Sequence, residues 1–166
     1  SAMVANWLSA PRKPTGVPLI GGGFSATCSP MGTPSESERF ARHIVLRESG
    51  GPGQQALGRA RVAIVGAGGL GAPASLYLTA AGVGHITLID SDTISLDNLQ
   101  RQILFRTSDV GQSKVETGAA ALQALNPGTQ VVPVQAMIDT GNATDLLAGA
   151  DLVLDGCDTF ETRDTV

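Results

Sequence analysis

Arg61-Val-Ala-Ile-Val-Gly66-Ala-Gly-Gly-Leu-Gly71 decides the fold. The apolar residues Val62 to Val65 run without polar interruption into the glycines, as a strand buried on both faces does. Glycines permit a tight turn and let backbone N–H groups come close to a phosphate, which the positive end of the following helix also attracts. A second apolar strand, Ile86 to Ile89, ends on Asp90, at the spacing where an acidic residue meets a ribose hydroxyl; Asp92 suits the same role. Gly66, Gly68, Gly69, Gly71, Asp90 and Asp92 therefore read as a nucleotide cradle. A glycine turn of purely structural purpose would not need strand, turn, helix and acidic strand end in that order.

Working outward, Leu70 to Ala81 is rich in Ala and Leu, tolerates Pro73 in its first turn and stops at Gly82, which predicts a crossover helix. His85 to Asp90 is the next strand. Ser113-Lys-Val-Glu116 has the pattern of a capping box, opening a helix through Leu125 that Asn126-Pro127 ends. Gln130 to Val134 and Leu152 to Asp155 read as strands, with a short helix over Asn142 to Leu147 between them. Strands alternating with helices predict an α/β fold with a doubly wound, mostly parallel, Rossmann-like sheet.

Upstream, Ser35-Glu-Ser-Glu38 is another capping box, opening a helix with Phe40, Ile44 and Val45 on its apolar side and Gly50-Gly51 at its end. A short turn around Gln54 to Leu57 leads to the first strand. Residues 1–34 hold five of the nine prolines, many Gly and Ser and no period, and read as a disordered tail before an ordered domain over 35–166. Thr159 to Val166 begins another helix. The sheet is thus expected to be C-terminally incomplete in this chain, with one edge and its helix cover missing.

At 166 residues and 42% hydrophobic content the chain suits one domain. Eleven Lys and Arg against 15 Asp and Glu, a net charge of −4, argue against a general nucleic-acid binder. Cys28 and Cys157 form no CxxC pair and support neither a disulfide framework nor a zinc site. No apolar run approaches the roughly 20 residues of a membrane helix. Pro18 and three glycines break Val17 to Ala26, which argues against a signal peptide and makes the cytoplasm the expected setting.

The chemistry lies between the second strand and the second capping box, where Asn98, Arg101, Gln102, Arg106 and Lys114 stand at the carboxyl end of the sheet. Arg offers a planar fork and Lys a point charge, both suited to a triphosphate or its transition state. Asp155 and Asp158 follow the fourth strand, where a carboxylate suits Mg2+ beside phosphates. A lone loop Arg or Lys is ordinarily a solvated charge, and an Asp at a strand end is often a helix cap. Convergence on one sheet edge outweighs this for Asn98, Arg101, Lys114 and Asp158, but not for Arg106 or Asp155. Chemistry alone leaves Arg39 and Arg42 solvated, and Cys157 reads as a small packed side chain.

Arg39-Phe-Ala-Arg42-His-Ile, Gly66-Ala-Gly-Gly-Leu-Gly71, Asp90-Ser-Asp92, Ser95-Leu-Asp-Asn98-Leu-Gln-Arg101-Gln102, Val110-Gly-Gln-Ser-Lys114-Val-Glu116 and Asp155-Gly-Cys-Asp158 together resemble the ThiF/MoeB/HesA family, relatives of ubiquitin-activating enzymes. The resemblance covers about residues 36 to 166. It implies ATP-dependent adenylation of the C-terminal glycine of a ubiquitin-like sulfur carrier ending in Gly-Gly, as in molybdopterin or thiamine synthesis, with release of pyrophosphate. It also implies that Gly69 lies against the nucleotide, Asp90 holds the ribose, Asn98, Arg101 and Lys114 contact phosphates, and Asp158 serves Mg2+. Arg42 matches an arginine that such homodimers insert into the partner's site. Where the family has Asp-Asn after the fourth strand, this chain has Asp158-Thr159. A crossover loop, structural zinc pairs and any thioester or persulfide cysteine would lie beyond Val166.

A nicotinamide-dependent oxidoreductase shares the glycine fingerprint and Asp90, but hydride transfer does not call for Asn98, Arg101 and Lys114. A nucleotide-binding remnant without turnover and a tRNA-modifying cyclase are further alternatives, as is the choice of carrier and pathway. The incomplete sheet predicts marginal stability for the isolated chain. A sharp urea transition worth several kcal/mol would contradict that expectation.

Overall fold

The computed structural model describes residues 35–47, 50–158 and 165. The tail expected over 1–34, Cys28 and the helix expected from Thr159 lie outside the described residues. Order of elements is α1 (Glu36–Arg39), α2 (Ala41–Ile44), α3 (Gly50–Arg59), β1 (Arg61–Val65), α4 (Gly71–Ala81), β2 (His85–Ile89), α5 (Lys114–Leu125), β3 (Gln130–Val134), α6 (Ala143–Leu146) and β4 (Leu152–Asp155). Single 3-10 turns, Leu96–Asn98 and Thr107–Asp109, punctuate the long segment between β2 and α5.

Among the described residues the sheet has four parallel strands in the order β3-β2-β1-β4, so the expected doubly wound α/β architecture is present. Val62, Ala63, Ile64 and Val65 of central β1 are all buried, which explains their unbroken apolar run. Pro133 is tolerated because β3 lies at an edge, where no further strand needs its missing N–H. On one face Val62, Ile64, Ile86, Leu88 and Val131 pack with Ala72 of α4 and Val115, Ala119 and Leu122 of α5. On the other, Val65 and Ile89 meet Ile138, Ala143 and partly buried Leu146, Leu147, Val134 and Val153. That second layer is thin, and edge strand β4 has no fully buried residue.

After β1, β2 and β3 advance in one direction, the chain crosses back to place β4 beside β1. Ligands of open α/β sheets bind at the carboxyl ends of the strands where this reversal occurs. Here the backbones meet tightly. A Cβ on Gly66, whose φ is 90°, would lie 2.9 Å from Gly156 O, and one on Gly71 would collide with Gly66 O.

Several local expectations need correction. The first helix is broken at Phe40, which ends α1 and starts α2. Phe40 is buried, but Ile44 and Val45 are exposed. Gly50 and Gly51 open α3 instead of ending a helix, and α3 runs ten residues to Arg59. It is held from outside: Gln54 Nε2 donates to Ala81 O at 2.9 Å and the Gly84 N–H to Leu57 O at 3.0 Å.

The Ser35 capping box forms, and the Ser35 N–H and hydroxyl hold the Glu38 carboxyl below its ordinary pKa. The Ser113 box does not form: Ser113 stands at the N-cap position with no side-chain cap bond and its Oγ buried without a partner.

Gly71→Ala should destabilise by about 1–3 kcal/mol, the cost of overpacking against backbone that cannot yield. Gly58→Ala, in open space on α3, should stabilise by about 0.5–1 kcal/mol. Urea unfolding followed by circular dichroism would show opposite shifts of midpoint; shifts of the same sign would contradict the packing described.

Candidate functional site

A cleft of about 550 Å³ opens at the carboxyl ends of the strands. Gly66, Gly68 and Gly69 floor it, Asp90 and Asp92 follow β2, Asn98, Arg101 and Lys114 form one wall, and Gly156 and Asp158 follow β4. Residues spread from 66 to 158 thus converge as the sequence implied. Gly71 acts differently, keeping α4 against the end of β1 instead of lining the cleft.

Asp90 is the cleft's structural carboxylate. Its Oδ2 accepts from the Ala67 N–H at 2.7 Å and its Oδ1 from the Asp92 N–H at 2.8 Å, so it fastens the glycine turn to the end of β2. Its side chain is 10% exposed, and each oxygen has a lone pair left for a ligand hydroxyl.

Lys114 is the first residue of α5 and is buried, its side chain 5% exposed. Nζ donates to Asp92 Oδ2 at 2.8 Å and stands 4.0 Å from Asp90 Oδ2. An ammonium withdrawn from water at the positive end of a helix needs such countercharge. Arg101 lies across the glycine turn, with Cδ 3.3 Å from where a Gly69 Cβ would be, and Nη1 donates to Asp97 O at 3.4 Å. A Cβ at Gly69 would require this arginine to shift by a few tenths of an ångström.

The Asp97 carboxylate accepts from the Ser95 hydroxyl and from Asn98 Nδ2 at 3.3 Å, ordering the 3-10 turn that carries Asn98. Asp158 is exposed in the cleft. Asp155 accepts from the Cys157 N–H at 2.9 Å and from its thiol at 2.5 Å. That fits the reading of Asp155 as a structural carboxylate. Cys157 is only partly buried and lines the cleft, so it is not simply a packed core side chain.

Arg42 is exposed on α2 and does not line the cleft, while Arg39 donates to Leu125 O at 3.1 Å. Arg106 is exposed and outside the cleft, as expected.

One part of the site was not singled out from sequence. Ala136, Met137 and Ile138, after β3, give the cleft an apolar wall. Three apolar residues in a loop carry no period, so only the topology brings them there. Gln102 is 3% exposed and lines the cleft with Oε1 lacking a partner. The sequence set it among the polar residues of this loop without giving it a role.

Residues 40–166 match the ThiF family. The chain is 46% identical over 129 residues to the SAMP-activating enzyme E1 of Haloferax volcanii, covering 78% of this chain and 48% of that protein. It is 49% identical over 128 residues to the molybdopterin-synthase adenylyltransferase of Escherichia coli K12, covering 77% and 51% respectively. The solved structure of E. coli tRNA N6-threonylcarbamoyladenosine dehydratase, TcdA, in complex with ATP aligns at a TM-score of 0.73 and 30% identity, over 78% of this chain and 53% of that one. The chain spans about half the length of the curated relatives it matches.

Asp90→Ala would leave the Ala67 and Asp92 N–H groups without their acceptor and should destabilise by about 1–3 kcal/mol even without ligand. Asp90→Asn, which keeps one acceptor, should cost less. Equal melting temperatures for Asp90→Ala and the unsubstituted chain would refute this dual role.

Proposed function

Because the chain belongs to the ThiF family, we propose that its cleft binds ATP and adenylates the C-terminal glycine carboxylate of a ubiquitin-like sulfur carrier, a partner ending in Gly-Gly. The observation that carries this reading is the meeting of Asn98, Arg101, Lys114 and Asp158 around one glycine turn. A carrier carboxylate oxygen attacks the α-phosphorus, the bond from that phosphorus to the bridging oxygen breaks, and pyrophosphate leaves. Two anions must be brought together, so cationic side chains aimed at the phosphates should dominate the lowering of the barrier.

In this reading Asp90 receives the ribose hydroxyls and Gly66, Gly68 and Gly69 admit the phosphates to the backbone. The apolar wall at Ala136 to Ile138 suits the base. Arg101 and Lys114 neutralise charge developing on the phosphates, and Asn98 donates to them. Asp158 is the carboxylate for Mg2+, which, when bound with ATP, adds further neutralisation. Among the described residues no three His, Cys, Asp or Glu side chains are grouped to hold a metal. Mg2+ would here be held by one carboxylate together with phosphate oxygens.

Arg42 acts in the partner's cleft of a homodimer. Its exposure beside exposed Ile44, Val45 and Leu46 supports an interface there. No helix among the described residues is long and apolar enough to cross a membrane, and we place the reaction in the cytoplasm. Of the relatives described, the molybdopterin-synthase adenylyltransferase is 49% identical and the tRNA dehydratase 30%, which supports a substrate of the molybdopterin-synthase kind over a tRNA.

Exchange of labelled pyrophosphate into ATP, dependent on a carrier ending in Gly-Gly, should be catalysed by the full-length protein. Arg101→Ala should reduce exchange about 10²–10³-fold while leaving most ATP binding. Absence of exchange with every such carrier, or binding of NADH in place of ATP, would overturn the proposal.

A further inference from the structure

Lys114 and Asp92 are joined twice. Besides the 2.8 Å side-chain contact, the Lys114 N–H donates to Asp92 O at 3.1 Å. Next to them Thr93 and Ser113 form an antiparallel bridge, the Ile94 N–H donates to Gln112 O and the Gly111 N–H to Ile94 O, each at 2.8 Å. The strip that carries Asp92 is therefore fastened to the start of α5, and the carboxylate is delivered to the ammonium by backbone pairing. Asp90 is not placed to take over this role, since its nearer oxygen stands 4.0 Å from the ammonium and is held by the Ala67 N–H. The two partners differ sharply in exposure, 5% for the Lys114 side chain and 65% for Asp92. The lysine is fixed in the wall, whereas the carboxylate has water to turn into.

Resting on the reading that the cleft binds ATP, we propose that Asp92 is the resident counter-ion of Lys114. It keeps the phosphate's place on the buried ammonium while the cleft is empty and yields it when a polyphosphate nucleotide arrives. Asp92 is then a positioning residue and a competitor of phosphate, with no part in holding the ribose. Removing its charge raises affinity in two ways: the empty protein loses the pair that stabilises it, and the bound phosphate loses a neighbouring anion. An equilibrium that holds Lys114 away from ligand lowers apparent affinity by the fraction of time it is available.

The test is calorimetric titration of the full chain and its Asp92→Asn variant with ATP, 3′-deoxy-ATP and adenosine. The expected result is binding of ATP tightened about tenfold by Asp92→Asn, an equal gain with 3′-deoxy-ATP and no gain with adenosine. Asp92→Glu should restore the original affinity, and the melting temperature of empty Asp92→Asn should fall while its increase on adding ATP grows. Asp92→Ser should behave like Asp92→Asn, which guards against an effect peculiar to one amide. Weakened ATP binding by both variants, with the loss absent for 3′-deoxy-ATP, would assign Asp92 to the sugar and overturn the inference. Unchanged affinity for ATP would overturn it as well. Failure of the unsubstituted chain to bind ATP at all would overturn the functional reading and this inference together, and so is distinguishable from the other outcomes.

Discussion

Three stretches of backbone meet where the sheet reverses its winding, and only glycine fits at the meeting points. Gly66 leaves β1 at a φ of 90°, Gly156 leaves β4 against it, and Gly71 brings the first turn of α4 onto Gly66 O. The Gly156 N–H donates to Val65 O at 2.8 Å, so β1 and β4 remain paired until their ends. Any side chain at these positions would part the strands or lift the helix. Every other feature of the cleft hangs from this contact, because it sets how close the glycine turn lies to the segments after β2 and β4.

Upon that frame the polar groups are placed by short local devices. Asp90 ties the turn to β2 through two backbone N–H groups, and the 3-10 turn at Leu96–Asn98 presents Asn98 and Arg101 to the opposite side. Lys114 is carried in by the first turn of α5, whose deeper residues Val115 and Leu122 are fully buried. The apolar stem of α5 thus supports the charged tip of Lys114, which keeps its reorganisation small when charge develops on a ligand.

Strands and crossover helices were legible because their periods and punctuation agree: Val62 to Val65 is continuous, Gly82 ends α4 in the left-handed conformation, and Asn126 ends α5. The cleft's charged residues were legible through their convergence on one sheet edge. Tertiary contact hid the rest. Ser35 and Ser113 stand in the same local pattern, yet only Ser35 caps, because the strip bearing Asp92 and Thr93 pairs with the approach to α5. Gly50-Gly51-Pro52-Gly53 has the composition of a loop and becomes helix because α3 is anchored to Ala81 and Gly84. The apolar wall at Ala136 to Ile138 has no local signature whatever.

The place of β4 also sets an order of events during folding. β1, β2 and β3 follow one another in sequence and in the sheet, whereas β4 must return to β1 across a separation of 90 residues, where Asp151 Oδ2 accepts from the Arg61 N–H at 2.8 Å. Such long-range closure carries the largest loop entropy and is the slow step of a fold of this topology. Since Gly156 and Asp158 arrive with β4, the cleft lacks that wall until β4 has docked beside β1. Closure of the cleft would then report that β4 has found its place beside β1.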